Sequence, residues 1–184
     1  MIPAPFRIVL DANVLYPFSL RDTLLRAAAA GMFQVFWSAE ILDETTRNLV
    51  ADGVMNIEQA GRLRQAMESV FPEAAVTGYE RLIDAMKNAA EDRHVAAAAV
   101  KAGAQVIVTR NLKHFRDLPE GLETQSPDHF LCNVLDLDPE GMIALLREQA
   151  GALKRPPKSF DELLYGLAKM VPEFVASVRE HSRG

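Results

Sequence analysis

The chain predicts an α/β fold built on a central parallel sheet. Three observations carry this reading: two apolar runs without polar alternation, Ile8-Val9-Leu10 and Val106-Ile107-Val108; a strongly helical segment that ends at Gly103 and leads straight into the second run; and the repeated order strand, helix, strand. Continuous apolar strands belong to sheets covered on both faces. Strands alternating with helices imply right-handed crossovers between parallel neighbours.

Taken in order, Phe6 to Asp11 reads as a central strand. Ser19 is expected to cap the next helix, Leu20 to Ala30, which is rich in good helix formers and stops at Gly31. Gln34 to Trp37 is a second strand, and Ser38 caps a helix whose apolar face is Ile41, Leu42, Thr45 and Leu49. Asn56 and Ile57 open a helix that runs through Val70 and stops before Pro72. A brief strand over Ala75 to Thr77 and a short helix over Tyr79 to Lys87 follow. Glu91 to Ala102 is a strong helix, Gln105 to Thr109 a buried strand, and Leu122 to Gln125 a last core strand. Ser126 caps a helix with Pro127 at its first position, and Pro139 starts another toward Leu153 in the same way.

The basic segment Lys154-Arg155-Pro156-Pro157-Lys158-Ser159 breaks this pattern, because adjacent prolines cannot continue a helix. Residues 1–153 therefore read as the α/β domain and residues 154–184 as a proline-linked helical extension, with short helices over Phe160 to Met170 and Pro172 to Ser182. Phe160, Leu163, Leu164 and Leu167 form one apolar face and Val171, Phe174, Val175 and Val178 another, and both must pack on something. No internal repeat or low-complexity tract interrupts the chain.

With 184 residues and 49% hydrophobic content the chain can bury a proper core. No apolar stretch approaches the roughly 18 residues needed to cross a bilayer. Met1 to Arg7 has no basic region leading into an apolar one, so a cytoplasmic protein without a membrane segment is expected. The single cysteine, Cys132, lies among Phe130, Leu131 and Val134, which suits a packed thiol in a reducing compartment. A net charge of −5 argues against a general electrostatic grip on nucleic acid. Phosphate binding would have to rest on a local Lys and Arg cluster or on bound cations.

The chemistry lies in the acidic residues. Asp11 ends the first strand and is followed by Asn13, Glu44 sits in the helix after the second strand, and Asp92 opens the helix before Val106-Ile107-Val108, which closes on Thr109-Arg110-Asn111. Alone, a strand-end Asp is commonly a cap and a helical Glu a solvated group. Jointly, acidic residues at successive α/β junctions point to one site, because open parallel sheets place their chemistry outside the carboxyl ends of the strands. Like charges about 4 Å apart repel by roughly 4 kcal/mol at an effective dielectric of about 20, so such a cluster takes up protons or cations. An all-oxygen set favours Mg²⁺ or Mn²⁺ over zinc, and such an ion activates water against a phosphodiester.

Asp11-Ala12-Asn13-Val14-Leu15, the helix carrying Glu44, Asp92-Arg93-His94-Val95 with its alanine run, and Val108-Thr109-Arg110-Asn111-Leu112-Lys113-His114-Phe115 resemble the successive motifs of PIN-domain ribonucleases. Within that family the resemblance is to the VapC-type toxins of bacterial toxin–antitoxin systems, and it covers Phe6 to Gln125. It implies a three-layer α/β/α, Rossmann-like PIN domain, metal-dependent endoribonuclease activity with Mg²⁺ or Mn²⁺, a homodimer, and an RNA substrate and cognate antitoxin as partners. Matched motif by motif, Asp11, Glu44, Asp92 and Asn111 form the catalytic set. Asp11 and Asp92 would be direct metal ligands, and Glu44 would bind metal through water or orient the nucleophile.

The departure is Asn111, where many members carry Asp. Its carbonyl oxygen can still face a cation, but it adds no charge, which weakens the case for a tightly held second metal. Asn13 and Thr109 are expected to fix the carboxylates by hydrogen bonds, and Arg93, Arg110 and Lys113 to receive RNA phosphates. His94 reads as an acid or base or as a packing residue, and His114 is equally open. The C-terminal apolar faces either pack on the same chain or form part of a dimer or antitoxin contact.

A PIN-like RNA- or protein-binding module with weak or lost nuclease activity is the alternative, supported only by Asn111. A haloacid-dehalogenase-type phosphohydrolase needs a second Asp where this chain has Asn13, and a dinucleotide-binding domain needs Gly-x-Gly-x-x-Gly after the first strand. Neither fits.

Overall fold

Among the described residues, five parallel strands form one sheet in the order β3-β2-β1-β4-β5. They are β1 (Arg7–Leu10), β2 (Gln34–Ser38), β3 (Ala75–Val76), β4 (Val106–Val108) and β5 (Glu123–Gln125). The structure, a computed structural model, describes residues 6–184, so the Met1 to Pro5 part of the leader argument lies outside the described residues. No helix among those described is long and apolar enough to cross a membrane.

The register places Ile8 beside Val35 on one side and Val106 on the other, and Val9 beside Phe36 and Ile107. These β1 and β4 residues and Val35 are buried, which explains why the central strands lack polar alternation. The chain leaves β1 toward β2 and β3, then returns across β1 to reach β4. The carboxyl ends of β1 and β4 therefore flank the topological switch point.

Among the described residues, nine α-helices accompany the sheet: α1 (Ala12–Leu15), α2 (Phe18–Ala29), α3 (Ala39–Ala51), α4 (Ile57–Val70), α5 (Arg93–Ala102), α6 (Pro127–Leu137), α7 (Pro139–Ala152), α8 (Phe160–Leu167) and α9 (Pro172–Arg183). Helices flank the central sheet in a three-layer α/β/α arrangement. Ala96 to Ala99 of α5 are fully buried and let this helix lie against β1, β2, β3 and β4. Ser38 caps α3 and Asn56 caps α4, the latter in a reciprocal capping box with Gln59. Gly103 ends α5 at φ 64°, a left-handed conformation that favours glycine.

Three expectations are corrected. Ser19 does not cap the second helix, which starts at Phe18 after Pro17, whose φ of −70° already suits a helix entry. The Ser19 carbonyl instead accepts from Thr23 Oγ1 and Gln149 Nε2 inside the fold. The Tyr79 to Lys87 segment is a 3₁₀ helix over Glu80–Ala85, and the start expected at Glu91 is a 3₁₀ turn over Ala90–Asp92, with α5 beginning at Arg93.

Of the two readings open for the C-terminal helices, packing on the same chain is the one observed. Leu163, Leu164, Leu167, Val171, Phe174, Val175 and Val178 are at most 2% exposed and belong to the same apolar core as Ile8 and Val108. α9 packs on α6 and α7, and α8 on α7 and α2. Both Asp128 oxygens hold the start of α9, accepting from Phe174 N at 2.8 Å and Glu173 N at 3.1 Å. These apolar faces are turned into the chain's own core and are not open to a dimer partner or antitoxin. Cys132 is half-buried, and burial first, then nearby carboxylates led by Asp128, pushes its thiol up to about 11, which suits a packed, unreactive side chain.

Candidate active site

The β1–β4 and β4–β5 pairings each continue one step past the strand ends. Asp11 N donates to Val108 O at 3.1 Å, and Thr109 N donates to Gln125 O at 3.1 Å, so Asp11 and Thr109 sit side by side at the carboxyl edge of the sheet. Thr109 is fully buried, and its hydroxyl donates to Asp11 Oδ2 at 2.8 Å while accepting from Asn13 Nδ2 at 3.1 Å and Asn111 N at 3.0 Å. One donor and two lone pairs are thereby all engaged. Asn13 Oδ1 accepts from Arg110 N at 3.0 Å. Thr109 thus holds Asp11 directly, and Asn13 acts on it through Thr109.

Asp11 is also the N-cap of α1, its Oδ1 accepting from Ala12 N at 2.8 Å. The carboxyl group is 4% exposed. Its pKa is pushed up to about 6, chiefly by burial, with repulsion from Asp92 and then Glu44 adding to it, while the bonds from Thr109 and Ala12 oppose the shift. Asp92 and Glu44, from distant parts of the chain, therefore both act on Asp11 at this edge, with Glu44 half-buried on α3.

Among the described residues, no three His, Cys, Asp or Glu side chains stand close enough together to enclose a cation by themselves. That spacing does not suit a dehydrated zinc cage. After burial, the groups that push up the Asp11 pKa are carboxylates, an all-oxygen donor set that suits a hard cation taking one or two of them directly. The uncompensated charge around the buried Asp11 supports the same donor set.

Asp92 ends its 3₁₀ turn without capping α5 through its side chain. Its Oδ2 lies 2.8 Å from His114 Nδ1. The same ring nitrogen is 2.8 Å from Asn111 Nδ2 and 3.6 Å from Glu91 Oε1. His114 is thus the residue that joins Asp92 to Asn111. The signal for it was the spacing Asn-x-x-His in a 3₁₀ turn, Leu112–Phe115, where side chains three apart stack.

Of the three basic residues, Arg110 and Lys113 are exposed on the rim after β4. Arg93 is half-buried and its Nε donates to Asn88 O at 3.0 Å, which ties it to the preceding loop. His94 stands 3.8 Å from Glu40, whose other oxygen accepts from Tyr79 Oη at 2.6 Å. Sequence reasoning missed Arg21. Its buried guanidinium donates to Leu15 O at 2.8 Å and Tyr16 O at 3.1 Å, closing the carbonyl end of the turn that Asp11 opens. The available signal was its place three residues before Leu24, on the buried face of α2. A cavity of about 750 Å³ lined by Ile8, Met32, Gln105, Leu122 and Leu137 sits at the opposite, amino-terminal ends of β1 and β4 and contains none of these acidic groups.

A PIN domain family model matches residues 7–113, and a VapC50 C-terminal domain model matches residues 127–180. The protein named "Putative ribonuclease VapC50" of Mycobacterium tuberculosis is 45% identical over 105 residues, a match that takes in 55% of this chain and 62% of the relative. The chain therefore aligns with less than two thirds of that relative's length. The PIN model covers the β1, α3 and β4 segments that converge on Asp11 and Thr109, and the chain belongs to the PIN domain family.

Proposed function

We propose that the chain is a metal-dependent endoribonuclease, the toxin of a toxin–antitoxin pair, that hydrolyses RNA phosphodiester bonds at the carboxyl edge of its sheet. The observation that carries the reading is Asp11, a buried carboxyl held by Thr109 in the field of Asp92 and Glu44. The VapC50 relative, named as a putative ribonuclease, and the matching PIN model support it.

In this reading Asp11 and Asp92 hold Mg²⁺ or Mn²⁺, Glu44 contributes through water, and Asn111 contributes a polar group without charge. The bound cation supplies Lewis-acid polarisation of the phosphodiester and an activated water. The protein's own share is positional: Thr109 fixes the Asp11 carboxylate, Asn13 braces Thr109, and Arg110 and Lys113 receive substrate phosphates at the rim. Arg93 serves the same surface from its anchored position. A cognate antitoxin, a homodimer and a cytoplasmic setting complete the proposal, with residues 1–153 carrying the nuclease site and residues 154–184 a helical extension that completes the same core.

The test is RNA cleavage with Mg²⁺ or Mn²⁺, with and without EDTA, for wild type, Asp11→Ala and Asp92→Ala. Cleavage that stops in EDTA and in both variants supports the proposal. Full-rate cleavage in EDTA overturns the metal mechanism. RNA binding without cleavage favours the alternative of a PIN-like binding module, toward which the uncharged Asn111 leans.

A further inference from the structure

We propose that His114 is a positioning residue, tying the Asp92 carboxylate to the Asn111 amide through one protonated ring nitrogen. The inference rests on the reading of Asp92 as part of the reacting site. Nδ1 lies 2.8 Å from Asp92 Oδ2 and 2.8 Å from the Asn111 amide, so a single atom must satisfy both neighbours. If Nδ1 were the bare nitrogen, its lone pair would face the carboxylate at hydrogen-bond distance. If it carries the proton, it donates to the carboxylate in a charge-assisted bond, the stronger of the two choices.

That choice dictates the amide. The nitrogen and oxygen of an Asn side chain are distinguished only by their hydrogen bonds. A protonated Nδ1 requires Asn111 Oδ1 to face it as a second acceptor, which turns the amide N–H groups outward. Asn111 then presents donors to the site, where an aspartate would present acceptors. Such donors suit a phosphate oxygen of the substrate and do not suit a cation. The backbone reinforces the arrangement: His114 N donates to Asn111 O at 3.0 Å, and His114 O accepts from Ala89 N at 3.0 Å, three residues before Asp92. His114 thereby clamps the loop before α5 to the turn after β4.

The first measurement is heteronuclear NMR of the imidazole nitrogens in neutral to alkaline buffer. His114 should be protonated at Nδ1 and bare at Nε2, and Asp92→Asn should abolish that preference. A wild-type His114 protonated at Nε2 instead overturns the inference. The second compares His114→Asn, whose amide reaches only as far as Nδ1, with His114→Gln, whose amide reaches as far as Nε2, and with His114→Ala. Mn²⁺ affinity by calorimetry should fall about tenfold or more in the Ala and Gln variants and recover in the Asn variant, with kcat following the same order and thermal melting little changed. Recovery by Gln and not by Asn, or no change in any variant, overturns it. A wild type with the expected protonation that neither binds Mn²⁺ nor cleaves RNA removes the proposed function and leaves the Asp92–His114–Asn111 coupling standing.

Discussion

Thr109 donates its hydroxyl proton to Asp11 Oδ2 at 2.8 Å, joining residues 98 positions apart in the chain. The Thr109 hydroxyl oxygen also accepts from Asn13 Nδ2 and from the Asn111 backbone N–H, so one methyl-for-hydroxyl exchange would break three bonds at once. Thr109→Val should cost about 1.5–3 kcal/mol, the range for a hydrogen bond to a charged group, and reduce kcat/KM by about 10–100-fold. Thr109→Ser should stay near wild type. Urea unfolding and RNA cleavage measure the two effects, and an unchanged Val variant would show that Thr109 serves only packing.

Asp11 should make the metal-free protein less stable as pH rises. Its pKa in the fold is raised above its ordinary value, so the folded chain holds this proton more tightly than the unfolded chain. The favourable contribution is complete below the ordinary carboxylate pKa and is lost as pH climbs through about 6. Asp11→Asn should remove this dependence and gain on the order of 3 kcal/mol at neutral pH in EDTA. Urea melts across acid to neutral pH test this, with a flat wild-type profile counting against it. Added Mg²⁺ should restore wild-type stability at neutral pH and leave the Asn variant unchanged.

Asn111→Asp adds a carboxylate within reach of His114 and Asp92. Mn²⁺ affinity should rise by about tenfold, roughly 1.4 kcal/mol. Calorimetric titration of both proteins decides the point, and an equal or weaker affinity would place residue 111 outside the coordination sphere.

Phe174 is fully buried where α9 starts, and its amide is held by Asp128. Phe174→Ala should destabilise the whole chain by about 3–5 kcal/mol in a single transition. Truncation after Leu153 should remove cooperative unfolding altogether, because it strips the cover from α2, α6 and α7. A truncated chain that melts cooperatively and still binds Mn²⁺ would show that residues 154–184 are an appendage.

The strands and most helices were legible because their signals are local: unbroken apolar runs, Ser38 and Asn56 before apolar-periodic segments, and Gly103 after an alanine run. Pro17 overrode Ser19 as the start of α2 because a fixed φ acts before a side-chain cap is chosen. The acidic residues were readable as strand-end and helix-start positions. Thr109 and Asn13 were expected to brace the carboxylates, but the order of their bonds and the His114 bridge were harder to see, since each joins elements far apart in sequence through side-chain geometry that no periodicity encodes. Arg21 was hidden for a related reason: an arginine on a buried face looks like an interruption until the carbonyls it satisfies are in view.

Sheet order also sets a timetable. β1 is made first yet lies at the centre, and its β4 neighbour emerges from the ribosome only after most of the chain has been synthesised. Asp11 cannot acquire Thr109, nor Asp92 its His114, until that late strand and its following turn have left the exit tunnel. An incomplete nascent chain therefore carries the acidic residues without their assembled edge. If the assembled edge cuts RNA, a nascent chain that stops short of β4 and its following turn has no blade.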